Sequence, residues 1–180
     1  MQNIELKAEL RDLPLARTIA RGIGATYILT FDQTDTYYRI PRGKLKKRET
    51  QDEPVEFIFY DRPTRAGAKP SNFTIYSQEQ AIERFGTTPL PVWLVVRKRR
   101  ELYMLGNVRI HLDTVEGLGT FIEFEALVTR DYDAARCAEA VANLQEKFRP
   151  AMGELIDCGY ADLLARELDS APTREPDTAG

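Results

Sequence analysis

Residues 109–125, RIHLDTVEGLGTFIEFE, constrain most tightly what this chain can fold into. Strand side chains alternate with period two. Written as two strands around a turn, the stretch places Arg109, His111 and Asp113 on one face of the first strand and Phe121, Glu123 and Glu125 on one face of the second. The intervening Glu116-Gly117-Leu118-Gly119 joins two strands and opens no helix, so its GxG reads as a tight turn and not as a nucleotide loop. A face so charged is either solvated or holds an ion. The other strands decide which.

They carry charge in the same manner. In NIELKAEL, Ile4, Leu6, Ala8 and Leu10 face one way and Asn3, Glu5, Lys7 and Glu9 the other. KLKKRE sets Lys44, Lys46 and Arg48 on one face. In PVWLVVRKRRELY a single face runs from Val92, Leu94 and Val96 to Lys98, Arg100 and Leu102, so one long strand passes from an apolar to a cationic environment. Further strands are expected at 25–31, 35–40, 55–62 and 71–76. Helices are expected after Asp12, an N-cap with Pro14 in the first turn; at 78–85; from Asp131 or Asp133 to about residue 149, with Val141, Leu144 and Phe148 on the buried stripe and Pro150 as the stop; and at 160–168. Residues 1–170 read as one domain, and the Pro-rich, polar 171–180 as a disordered tail.

The composition narrows the functional classes. A chain of 180 residues, 43% hydrophobic and 29% charged, forms one soluble domain with a proper core. A net charge of -3 supplies no global basic field, so nucleic acid is not an expected partner. Cys137 and Cys158 have no CxxC spacing and fall in segments that read as helical, which points to free buried thiols and a cytoplasmic location. No apolar run approaches the roughly 20 residues of a membrane span.

Twelve charges sit at alternate strand positions: basic Lys7, Lys46, Arg48, Arg62, Lys98, Arg100 and Arg109, and acidic Glu5, Glu9, Asp113, Glu123 and Glu125. A single strand of this kind commonly turns its polar face to water. Several such strands with apolar opposite faces permit another arrangement, a barrel with a charged lumen and helices outside. Unpartnered buried charges are costly, so they must neutralise one another, stay hydrated or await a charged ligand. A polyphosphate with divalent cations satisfies both signs, because Arg and Lys grip phosphate oxygens and carboxylates hold hard cations. Mg2+ or Mn2+ is the natural inference; zinc is disfavoured for want of a Cys or His cluster.

The segments NIELK, KLKKRE, FIFYDRP, VVRKRRELY and NVRIHLDTVEGLGTFIEFE, in that order over about residues 2–150, resemble the CYTH superfamily. These are the triphosphate tunnel metalloenzymes, which include class IV adenylate cyclases and thiamine triphosphatases; the overall look is closest to the cyclases. Most members begin with ExExK, where this chain has Asn3, Glu5 and Lys7, so the first acid is missing.

The resemblance implies an α+β fold built on a closed antiparallel eight-stranded β-barrel tunnel with flanking helices. It makes Glu5, Glu123 and Glu125 metal ligands, and Asp113 a ligand or an acid supporting one. Lys7, Lys46, Arg48, Lys98, Arg100 and Arg109 become phosphate-binding, with Arg62 near a position where many members carry lysine. The expected partner is a small triphosphate, ATP or inorganic triphosphate, with Mg2+ or Mn2+ as cofactor; a homodimer is left open.

Three activities follow. A cyclase directs the ribose 3′-hydroxyl at the α-phosphorus and releases pyrophosphate. A triphosphatase directs water at a terminal phosphorus. A binding module holds polyphosphate or an RNA 5′-triphosphate without turnover. Lys98 or Lys7 serves as general base only if neighbouring cations depress its pKa. His111, the single histidine, reads as structural or hydrogen-bonding, and Tyr37, Tyr38, Phe73 and Tyr76 as packing residues that leave base specificity open.

Overall fold

The computed structural model describes residues 1–61 and 64–170. In chain order the elements are β1 (Gln2–Leu10), α1 (Leu13–Gly22), β2 (Thr26–Tyr38), β3 (Lys44–Thr50), β4 (Glu56–Asp61), β5 (Lys69–Tyr76), α2 (Gln78–Phe85), β6 (Val92–Leu105), β7 (Val108–Val115), β8 (Gly119–Leu127), α3 (Ala134–Phe148), β9 (Met152–Ile156) and α4 (Tyr160–Ser170). The strands pair in the order β5-β4-β3-β2-β6-β7-β8-β1-β9, and β5 also pairs with β1, which closes eight of them into an antiparallel barrel. β1 gives one edge to β8 and divides the other: residues 2–5 pair with β5, and residues 7, 8 and 10 with β9.

Alternation decides which face of each strand points where. The apolar faces of β1, β7 and β8 point outward, and Leu6, Ile110, Ile122 and Phe124 are wholly buried there under α1 and α3. Ala16 and Ala20 let α1 approach closely, and α3 contributes Cys137, Val141, Leu144 and Phe148; the rings of Phe124 and Phe148 stand 5.4 Å apart. Each large side chain buried here is worth about 1.5–3 kcal/mol. That term fixes the register, since a slip of one residue would send the charged face into this apolar layer. The charged faces therefore line the lumen.

A second apolar cluster fills one end of the barrel. Tyr160 and Ala161 of α4 pack against Tyr37, Ile58, Tyr60, Val96, Val115 and Phe121. An ion pair from Lys44 to Asp162 ties α4 to β3.

The helix ends follow the expected chemistry. Asp12 accepts from the Leu15 amide at 2.8 Å; Asp133, and not Asp131, caps α3 by accepting from the Arg136 amide at 2.9 Å. Gly117 at φ 75° and Gly119 at φ 104° make the tight turn between β7 and β8.

Three expectations change. The two strands expected at 25–31 and 35–40 are the single β2, paired along its length with β6 from Thr26↔Met104 to Tyr38↔Val92. The polar run Asp32-Gln33-Thr34-Asp35 looks like a break only if the interior is apolar; here Gln33 and Asp35 are buried on the charged lumen side. The five-residue β9 was not expected at all. Cys158 lies in a bend between β9 and α4, not in a helix, although both cysteines are free and buried. The expected tail at 171–180 falls outside the described residues, and no helix among the described residues is long and apolar enough to cross a membrane.

Candidate metal and phosphate site in the lumen

Cross-strand register assembles the lumen charges from distant parts of the chain. Arg109 stands opposite Glu125 and His111 opposite Glu123 between β7 and β8. Glu5 faces Glu125 and Lys7 faces Glu123 between β1 and β8. Arg100 faces Asp113 between β6 and β7, and Asp35 faces Arg48 between β2 and β3. The resulting cavity of ≈ 280 Å3 is lined by Glu5, Lys7, Lys46, Arg48, Lys98, Arg100, Arg109, Glu123 and Glu125, together with Tyr37, Tyr60, Phe73 and Tyr160.

One side of the cavity is organised by Asp35, whose side chain is wholly buried. Arg48 donates to it in a fork, Nε to Oδ1 at 2.8 Å and Nη2 to Oδ2 at 3.0 Å. Lys46 and Lys98 both donate to Oδ2, at 3.0 and 2.8 Å. Three cations thus share one carboxylate. Burial opposes ionisation of Asp35, but Arg48, Lys46 and Lys98 outweigh it and hold its pKa well below the usual range. The lysines bear the opposite strain: burial and the neighbouring Arg48 bring Lys46 down to about 7, and burial, Arg48 and Arg100 bring Lys98 to about 8, in each case against the pull of Asp35.

The other side is acidic. Arg100 forks onto Asp113, Nε to Oδ1 at 2.7 Å and Nη2 to Oδ2 at 2.6 Å, and also donates to Glu123 Oε2 at 3.0 Å. The Tyr160 hydroxyl donates to Asp113 Oδ2 at 2.7 Å. Burial opposes the charge on Asp113, yet Arg100 keeps its pKa at about 2. Burial likewise opposes the charge on Glu123, and Lys7 at 3.2 Å, His111 and Arg100 hold its pKa well below normal. The Lys7 ammonium also rests 3.7 Å from the centre of the Tyr160 ring.

A divalent cation has a fitting set of donors at this end. His111 is 4% exposed, and its Nδ1 has no hydrogen-bond partner. It points at the acids, 3.7 Å from Glu123 Oε2 and 4.0 Å from Glu125 Oε1, and one donor atom from each of the three residues lies within 4.8 Å of the others. Two carboxylates and a nitrogen so placed match the donor chemistry of small dications.

The fold brings most of the expected residues to one place. Glu5, Glu123 and Glu125 line the cavity with Lys7, Lys46, Arg48, Lys98, Arg100 and Arg109, the last exposed at the mouth. Asp113 is not in the His111, Glu123 and Glu125 group; its oxygens accept from Arg100 and Tyr160. Glu9 is at the far end of β1, where its carboxylate accepts from the Glu154 amide of β9. Arg62 lies outside the described residues. Of the aromatic residues, Tyr38 stacks on Phe57 and Tyr76 meets Phe85 edge to face, while Tyr37 and Phe73 line the cavity.

Two participants escaped the sequence reading. Asp35 was placed at the start of a short strand, where a lone acid looks solvated; extending the alternation Gln33, Asp35, Tyr37 back into one strand would have aimed it at Lys46 and Lys98. Tyr160 comes from a helix, and no strand periodicity marks it.

Comparison with known proteins adds the lineage. The CYTH domain model matches residues 1–160. A search of curated protein sequences finds no match. Among solved structures the chain is similar to the PH1012 protein of Pyrococcus horikoshii OT3, with a TM-score of 0.75 and 21% identity over 90% of this chain and 99% of that one. It is similar to a candidate adenylate cyclase from Vibrio parahaemolyticus, with a TM-score of 0.68 and 19% identity over 91% and 97%. A more distant likeness, TM-score 0.50 and 13% identity over 93% and 82%, is to an RNA triphosphatase of S. pombe. At these identities the likeness is one of fold.

Proposed function

The chain belongs to the CYTH domain family, and on that premise we propose that its lumen binds a triphosphate with a divalent cation and converts ATP to cyclic AMP and pyrophosphate. The observation that carries the reading is the division of one cavity into a cationic side, Lys46, Arg48 and Lys98 around Asp35, and an acidic side of Glu5, Glu123 and Glu125, with the buried His111 aimed at the last two. Phosphate oxygens and a dication each find complementary groups there.

An organic triphosphate is favoured over an inorganic one by a second cavity of ≈ 270 Å3. It shares Asn3, Phe73, Arg109 and Glu125 with the first and adds Met104, Asn107 and Tyr132. Aromatic and amide groups beside a phosphate site offer stacking and hydrogen bonding to a nucleoside.

In this reading Arg48, Lys46, Lys98 and Arg109 bind and orient the phosphate chain, and they stabilise charge as it builds on the oxygens. Glu5, Glu123 and Glu125, with His111 beside them, would hold the cation, which when bound neutralises phosphate charge as a Lewis acid. Asp113, gripped by Arg100 and Tyr160, sets the position of Arg100 against Glu123. The base that takes the 3′-hydroxyl proton must be neutral at working pH. Lys46, brought down to about 7, comes nearest to that requirement and Lys98, at about 8, next, whereas Lys7 Nζ is engaged 3.2 Å from Glu123 Oε1 and over the Tyr160 ring.

The test is incubation of purified protein with ATP and, separately, tripolyphosphate, each with Mg2+ or Mn2+, followed by resolution of the products. Cyclic AMP with pyrophosphate is expected. Orthophosphate alone would replace the cyclase reading with a hydrolase, and tight binding without either product would leave a binding module.

A further inference from the structure

Resting on the metal reading above, we infer that His111 binds the cation directly through Nδ1 and tilts the site toward a first-row transition dication, Mn2+, over Mg2+. His111 is an odd occupant of this lumen. Its side chain is 5% exposed on a strand whose neighbouring lumen positions are Arg109 and Asp113, yet its Nδ1 makes no hydrogen bond. A buried polar atom without a partner costs free energy, and native proteins rarely leave one so.

The geometry names the missing partner. Distances of 3.7 and 4.0 Å to Glu123 and Glu125 are too long for hydrogen bonds. They are, however, the spacing of donors around a common ion, because two ligand atoms each about 2.0–2.2 Å from a metal stand roughly 3–4.3 Å apart. Asn3, where a carboxylate is the commoner residue in the family, also bears on the choice. Its Oδ1 is buried without a partner and carries no charge, so the site has one acid fewer with which to attract a hard ion. A nitrogen donor in place of an oxygen lowers the advantage of Mg2+, which prefers oxygen ligands and dehydrates reluctantly, and suits the transition dications that accept imidazole.

The chain has a single histidine, which makes the test unambiguous in untagged protein. Protein labelled with 14N- or 15N-histidine is loaded with MnCl2, with and without tripolyphosphate, and examined by pulsed electron paramagnetic resonance for nitrogen coupling to the metal. Calorimetry then gives Kd for Mn2+ and Mg2+ in the wild type and in His111→Gln, whose fold is checked by circular dichroism. Coupling that changes with the isotope is expected, together with a fall of at least about tenfold in the Mn2+-over-Mg2+ preference of His111→Gln.

A bound Mn2+ whose spectrum ignores the label overturns the inference and leaves the metal reading standing. A preference unchanged in folded His111→Gln does the same. Failure of Mn2+ to bind under either condition overturns both. The labelling arm needs no variant, so it decides the matter even if His111→Gln does not fold.

Discussion

The two sides of the lumen solve opposite problems with the same residue types. Around Asp35 three cations are fixed by one acid, so a concentrated positive field is held in place before any ligand arrives. Around His111 two carboxylates converge, and cations reach only one of them among the described residues: Glu123 has Lys7 and Arg100, whereas Glu125 has His111 alone at ion-pair distance. A buried aspartate that gathers cations and a glutamate pair that leaves a space serve different ends. The first keeps like charges together, and the second leaves room for a missing positive one.

Breaking the cationic side should have the largest effect. Asp35→Asn leaves Lys46, Arg48 and Lys98 facing one another without an anion, and loss of one member of a buried charge cluster costs about 3–5 kcal/mol. Urea unfolding should show that loss, and tripolyphosphate should restore more stability to the variant than it adds to wild type; equal shifts would mean that the anion does not bind among these cations.

On the acidic side, Glu125→Gln is cleaner than Glu123→Gln, because Glu123 also pairs Lys7 and Arg100. Steady-state assays should find kcat/KM lower by about 10²–10³-fold, as for loss of one preorganised charge-stabilising group, with the melting temperature nearly unchanged. Full activity in that variant would remove Glu125 from the metal set.

Arg48→Ala should be milder. It removes charge-assisted hydrogen bonds worth about 1.5–3 kcal/mol, and direct titration should give a triphosphate Kd raised by about ten- to a hundredfold, with the response to Mn2+ concentration unaltered.

The smallest effect is that of pH. In the free protein Lys46 at about 7 and Lys98 at about 8 lose protons as pH rises through those values, so a triphosphate binds the protonated lysines best below pH 7 and must recruit protons above it. Calorimetry at pH 8 in buffers of different ionisation enthalpy should register proton uptake, with affinity falling between pH 7 and 8 by about fivefold through Lys46 and about twofold through Lys98. Proton release would reverse the assignment. The same depressed values make the buried ammoniums a stability cost fully present below pH 7, which is relieved toward the unfolded value of about 10.4 as pH rises.

The strand faces were legible because the strands signal twice, with apolar residues at one parity and charge at the other, while closure into a barrel followed only from the family resemblance. In β1, Leu6 went outward and Lys7 inward as the period requires; in β6 the same rule carried Val96, Lys98 and Arg100 to one wall. Where an element has only one signal, the reading weakened. β2 appeared as two strands because Asp32, Gln33 and Thr34 resemble turn residues, and the five residues of β9 are too few to establish a period. His111 stood in the right face from the start, but its unmet nitrogen depends on the positions of Glu123 and Glu125 across a hairpin, to a fraction of an ångström that spacing does not encode. Tyr160 reaches Asp113 from a helix packed across the barrel end, a contact set by docking.

β1 is hydrogen-bonded to β5, β8 and β9, three partners that all follow it in the chain, the last contributing residues up to Ile156. Among these strands the first to be synthesised is therefore the last to be fully paired. Throughout synthesis it carries a bare edge and an apolar face of Ile4, Leu6, Ala8 and Leu10, features that invite association with other chains. The strand that supplies Glu5 and Lys7 to the finished lumen is thus also the one a nascent chain must shield longest.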